Sequence, residues 1–150
     1  MKHGETFSKL EALGNDFVLL DHRLGGNHPS ASRIRALADR HLGIGFDQLL
    51  ILKPAQHPSA DLKVSIFNQD GSPAMQCGNG MRAVARWLEL EQPECNRVRL
   101  ETDAGLVVAE NLGSEGIRVQ MGQPVFGGQA VGFSRDANLE IGRASCRERV

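Results

Sequence analysis

Apolar residues in this chain come in short bursts separated by polar and glycine-rich stretches. Two bursts, Asp16 to Asp21 and Gln48 to Lys53, are short and rich in apolar residues and read as strands. Between them, Ser30 or Ser32 is placed to cap a helix with Ile34, Leu37, Ala38 and His41 on its apolar face, and Gly43 to end it. Leu62, Val64 and Ile66 alternate with polar neighbours, as in a half-buried strand, and Asn68-Gln69-Asp70-Gly71 marks a turn. The stretch Gly80 to Glu91 is strongly helical. Its apolar positions (Met81, Ala83, Val84, Ala85, Trp87, Leu88, Leu90) spread around most of the circumference, which predicts a buried helix. Three further strands are expected, from the alternation Val98, Leu100, Thr102, from the run Leu106 to Ala109, and from the alternation Ile117, Val119, Met121. One buried helix among several short strands predicts an α+β fold with the sheet curled round that helix.

Composition narrows the function classes. With 150 residues, 41% hydrophobic and 23% charged, the chain has the make-up of a soluble domain with a real core. A formal charge of -1 offers no basic face for nucleic acid or an anionic membrane. The longest apolar runs, Phe17 to Leu20 and Leu49 to Leu52, are too short to span a bilayer, and MKHGETFSKLEA lacks the apolar centre of a secretory signal. A cytoplasmic protein is expected. Three cysteines, Cys77, Cys95 and Cys146, argue against a disulfide framework. Without Cys-x-x-Cys spacing and with scattered histidines, no metal is expected.

The tail stands apart. From Glu140 the sequence EIGRASCRERV loses periodicity and becomes Arg-rich, and residues 140–150 read as a non-native tail translated from a sequencing adapter. Without Ile141 to Val150 the balance is 14 basic side chains against 17 acidic, a net of -3. Genomic sequence encoding these residues in place would refute that reading.

The candidate chemistry centres on Gln76-Cys77-Gly78-Asn79-Gly80, immediately before the buried helix. First-turn N–H groups have no intrahelical partner, and with the helix dipole they favour an anion or a thiolate. Gly78 and Gly80 let backbone approach a ligand carboxylate closely. A reactive thiol and a carboxylate cradle thus fall within five residues. A small buried cysteine in a tight turn is the plain alternative. The phosphate-loop pattern is absent, and His41, the one histidine in a strongly patterned segment, reads as a packed or helix-end residue rather than a base. Inversion of a carbon α to a carboxylate needs a base on one face and an acid on the other. A thiol titrates close enough to neutrality to serve as either.

Four strings in order, FSKLEALGNDF (Phe7 to Phe17), ADRHLGIGFDQLL (Ala38 to Leu50), IFNQDGS (Ile66 to Ser72) and QCGNGMR (Gln76 to Arg82), resemble the N-terminal half of the diaminopimelate epimerases. The resemblance runs from about Phe7 to Phe126. It implies interconversion of LL- and meso-diaminopimelate in lysine and cell-wall precursor synthesis, without pyridoxal phosphate, other cofactor or metal. It also implies two similar domains, each a curled mixed sheet round a central helix, with the active site between them and one cysteine from each. Residues 1–126 then form the first domain and 127–139 begin a connection to a second one. Cys77 matches the first cysteine. Asn15, Gln48 and Asn68 match substrate-binding side chains, and Gly78 and Asn79 would offer N–H groups to the substrate carboxylate. Arg82 and Arg86 read as structural ion partners. Ala12 stands where the family often has glycine, and Ala83 where many members carry an extra cysteine. A homodimer at full length is a further implication. Cys95, in a Pro-Glu-Cys-Asn loop, is a poor stand-in for the second cysteine, so this piece alone is not expected to epimerise. Two other readings stay open: another cofactor-independent amino-acid racemase of the wider superfamily, such as a proline or hydroxyproline racemase, and a non-catalytic half that binds an amino acid without turnover.

Overall fold

The structure is a computed structural model that describes residues 6–122. The expectations for residues 127–139, for the 140–150 tail and for Cys146 lie outside them. The two apolar bursts become β2 (Asn15–Asp21) and β3 (Gln48–Pro54), a parallel pair in which Phe17 faces Gln48 and Leu20 faces Ile51. Both strands are buried on both faces, which is why they read as unbroken apolar runs rather than alternations. Phe17, Leu19, Leu50 and Leu52 enter one core, and Val18, Leu20, Leu49 and Ile51 enter another.

β4 (Leu62–Asn68) runs antiparallel to β3, with a two-residue bridge β5 (Pro73–Ala74) on its far end. β6 (Arg97–Thr102) is parallel to β4, and β7 (Gly105–Asn111) and β8 (Ile117–Gln120) follow antiparallel, with a short 3-10 turn at Gly113–Glu115 between them. On the other edge, β1 (Ser8–Ala12) pairs with β2. The sheet order is β1-β2-β3-β4-β6-β7-β8. The helix α2 (Gly78–Glu91) packs on both edge strands, β1 and β8, and on β7, β2 and β6 between them. A sheet whose two edges meet one helix is strongly curled, and the mixed α+β architecture is as expected.

Three local readings are corrected. α1 (Ala31–Ala38) is capped by Ser30, whose Oγ accepts from Arg33 N–H at 3.2 Å, but it ends at Asp39 rather than at Gly43. The Asp39 carboxylate captures the N–H groups of His41 and Leu42, both at 2.8 Å, so the chain turns out of the helix and His41 is exposed instead of lying on its apolar face. α2 is covered on one side only. Met81, Val84 and Leu88 are buried, whereas Ala85 and Trp87 are half-buried and Leu90 is 70% exposed. Met121 lies one residue beyond β8, not in it.

Two turns deliver side chains to the site described below. Leu13 and Gly14 join β1 to β2 with φ of 53° and 89°, the two-residue hairpin that matches strand twist, and Asn15 follows directly. The Asn68–Ser72 turn closes with Asn68 N–H donating to Ser72 O at 2.8 Å. Within it Gly71 has φ +83°, and a Cβ there would come within 2.7 Å of Ala31 Cα and 2.8 Å of Ala31 O. Backbone cannot swing aside as a side chain can. Gly71→Ala is therefore expected to cost about 1–3 kcal/mol, read from urea unfolding. An unchanged urea midpoint would contradict this.

Candidate active site

Cys77 is the N-cap of α2, with extended backbone (φ -147°, ψ 107°) and 7% exposure. Its Sγ accepts from Gly80 N–H at 3.3 Å, and its carbonyl accepts from Met81 N–H at 2.9 Å. The sulfur thus stands where a capping oxygen normally does, satisfying one orphan donor of the first turn. The Gly80 N–H aimed at the sulfur and the positive end of the helix dipole both favour negative charge at this position. Gly78 and Asn79 occupy the first two helical positions, where N–H groups have no intrahelical acceptor. The helix begins at Gly78, two residues earlier than the apolar pattern indicated.

The amide residues assemble at one end of the sheet. Asn15 is the first residue of β2, Gln48 the first of β3 and Asn68 the last of β4. With β2 and β3 parallel and β4 antiparallel, all three fall on the same edge. Gln48 and Asn68 are register partners, and Gln48 Nε2 donates to Asn68 Oδ1 at 3.0 Å. Asn68 Nδ2 donates to Ser72 Oγ at 3.1 Å, and Ser72 Oγ donates to the Asp70 carboxylate at 2.6 Å. Asn15 connects to the helix, its Oδ1 accepting from Asn79 Nδ2 at 2.8 Å. Cys77, Asn15, Gln48, Asn68 and Asn79 are thus each held in a side-chain hydrogen bond, and Cys77, Gly78 and Asn79 are consecutive.

The charges around this cluster were not read as part of it. Asp47 Oδ2 accepts from Asn15 Nδ2 at 3.3 Å and from Asp16 N–H at 3.1 Å, while Asp16 Oδ1 accepts from Asp47 N–H at 3.0 Å. Arg40 bridges both acids, at 2.7 Å to Asp16 and 2.8 Å to Asp47, and Lys9 adds a bond to Asp16 at 2.8 Å. Arg82 makes no ion pair among the described residues. It donates instead to Asn79 Oδ1 at 2.9 Å, so the acidic partner expected for it is not found there. Arg86 does pair with an acid, Glu89, as expected. The signal for Arg82 lay in its spacing, three residues after Asn79 on one helix. That for Asp47 lay in its place directly before Gln48.

The Arg40 guanidinium, helped by Lys9, holds the Asp16 carboxyl well below the usual carboxylate range. A carboxylate so depressed stabilises the fold above the pH where it titrates unfolded, ~4, and loses that contribution as pH falls through its lowered value. Asp16→Asn is accordingly expected to shrink the fall in urea midpoint between about pH 6 and about pH 3. An equal fall in both proteins would contradict it.

Cys95 lies in the turn beyond the far end of α2, its Sγ donating to Arg97 O at 3.4 Å. The 14-residue helix separates it from Cys77 by about 20 Å at 1.5 Å per residue, too far to serve the same carbon. Among the described residues, no three or more His, Cys, Asp or Glu are grouped to hold a metal ion, and no helix is long and apolar enough to cross a membrane.

The fold is similar to that of several solved structures. A hydroxyproline epimerase from Agrobacterium vitis matches with TM-score 0.58 at 18% identity, over 77% of this chain and 40% of that one. A probable proline racemase from Agrobacterium radiobacter K84 matches with TM-score 0.56 at 22% identity, over 77% and 41%. In sequence, the profile of the diaminopimelate epimerase family matches residues 7–127. The diaminopimelate epimerase of Acinetobacter baylyi is 47% identical over 122 residues, 80% of this chain. The chain belongs to the diaminopimelate epimerase family. It spans 43% of the length of that relative.

Proposed function

We propose that residues 1–126 form the first of two lobes of a diaminopimelate epimerase, with 127–139 leading toward the second. The full-length protein interconverts LL- and meso-diaminopimelate by two-base proton transfer at the α-carbon, in lysine and cell-wall precursor synthesis. The observation that carries this reading is Cys77, with Sγ 3.3 Å from Gly80 N–H at the N-cap of α2. As thiolate, Cys77 removes the α-proton from one face, and a thiol from the second lobe delivers a proton to the other. The Gly78 and Asn79 N–H groups receive the substrate carboxylate and stabilise the charge that builds on it as the proton leaves. Asn15, Gln48 and Asn68 hold the polar groups of the rest of the substrate. The small-molecule ligand, a cytoplasmic setting and a homodimer at full length belong to the same proposal.

The full-length protein, with no cofactor added, should convert LL-diaminopimelate to an LL/meso mixture, followed by chiral chromatography. Inertness toward diaminopimelate together with racemisation of proline or hydroxyproline would overturn the substrate assignment. Binding without turnover would leave only a carboxylate-binding module.

A further inference from the structure

An asparagine side chain can turn over, exchanging its carbonyl and amino ends at little steric cost, so a site built on asparagines needs something to fix their direction. Here Arg82 Nη1 donates to Asn79 Oδ1 (2.9 Å), Asn79 Nδ2 donates to Asn15 Oδ1 (2.8 Å), and Asn15 Nδ2 donates to Asp47 Oδ2 (3.3 Å). The two ends of this chain differ in kind. A guanidinium has donors only and a carboxylate has acceptors only. Turning Asn79 over would aim its amino group at the guanidinium. Turning Asn15 over would aim its carbonyl at the carboxylate. Only one direction satisfies all three links, and charged partners make those links stronger than neutral ones. The Asp47 end is itself pinned, by Arg40 Nη2 on Oδ1 at 2.8 Å and by Asp16 N–H on Oδ2 at 3.1 Å.

We infer that Arg82 and Asp47 are positioning residues, setting the direction of the Asn79–Asn15 pair so that fixed amide atoms face a ligand carboxylate beside Cys77. The effect on turnover rests on the proposed epimerase function; the ordering of the amides does not. Neither positioning residue touches the reacting carbon. Each acts through an asparagine, and either charged end alone fixes both amides, so the directional constraint is lost only when both ends are neutralised. That coupling separates the inference from two independent packing roles.

The test uses the full-length protein and the variants Arg82→Lys, Arg82→Gln, Asp47→Asn and the double variant R82Q/D47N. Arg82→Lys, Arg82→Gln and Asp47→Asn each leave at least one charged end and should stay within about threefold of the parent in KM. The double variant, with neither end charged, should raise KM by about tenfold with a smaller effect on kcat. A double variant no worse than the product of the two single losses, or a single variant as poor as the double, would overturn the inference. An inactive parent would instead sink the epimerase reading. In that case the side-chain amide signals of 15N-labelled protein decide. Adding Arg82→Gln to Asp47→Asn should move the Asn15 signals as well as those of Asn79, although Asn15 does not contact position 82. An unmoved Asn15 pair in that comparison would overturn the inference with or without turnover. Should Asp47→Asn fail to fold, Arg82→Glu carries the test: an acceptor at the donor end leaves no direction that satisfies all three links, so Asn15 signals unchanged in that variant would overturn the inference.

Discussion

Replacing Cys77 with serine is expected to slow epimerisation by the full-length protein by a factor of ~10²–10⁴, with KM little changed and the fold intact. The substitution separates chemistry from structure because serine is among the best N-cap residues. Its Oγ can accept from Gly80 N–H as the sulfur does, so stability should change by no more than ~1 kcal/mol. On the proposed function the Gly78 and Asn79 N–H groups still receive the carboxylate in the serine variant, which keeps KM in place. A hydroxyl at neutral pH cannot take the α-proton as a thiolate can. Stopped-time conversion of LL-diaminopimelate, beside a urea melt, checks both halves. A serine variant with more than a tenth of parental kcat would show that Cys77 is a cap and not a base.

The largest structural effect is expected at Phe17. Its ring is fully buried on the concave face of the sheet, in one cluster with Leu19, Leu50 and Met81. Phe17→Ala should cost about 3–5 kcal/mol, the transfer loss of the ring plus the cavity left in a two-sided core. That is a large part of the stability of a domain this size. Phe17 is also the β-register partner of Gln48 and lies two residues after Asn15, so the variant should weaken substrate binding in whatever folds. Urea unfolding measures the loss. A cost below about 1 kcal/mol would mean that Met81 and its neighbours close the cavity.

Much of this was written in the order of residues. The unbroken apolar runs of β2 and β3 follow from burial on both faces, and the alternation in β6 and β8 from burial on one, whereas β4 alternates in sequence although Ser65 is buried too and Phe67 packs on the second core. Cys77 before two glycines and a strong helix was enough to place a thiol at a helix start. Other features depended on partners distant in sequence. Asp39 ends α1 because its carboxylate competes for local N–H groups, whereas the periodicity continued to His41. β1 carries alternation in Leu10 and Ala12, but five residues with one large apolar side chain give too weak a pattern to read alone. The apolar residues of α2 spread widely round the helix, yet the sheet covers only one side and leaves Leu90 exposed. The strand order and the parallel β2–β3 register have no local signature. Nor did the charges flanking the asparagines, since Asn15 and Asp47 stand 32 residues apart and meet only when β2 pairs with β3.

Cys77 and the start of α2 are proposed to form one site, and timed alkylation of the full-length protein with iodoacetamide, read by peptide mass spectrometry beside residual activity, probes both together. Modification of Cys77 and loss of epimerisation are expected to advance together, and diaminopimelate to slow both. Alkylated Cys77 in fully active protein, or labelling of Cys77 that saturating diaminopimelate leaves unchanged, would contradict that proposal.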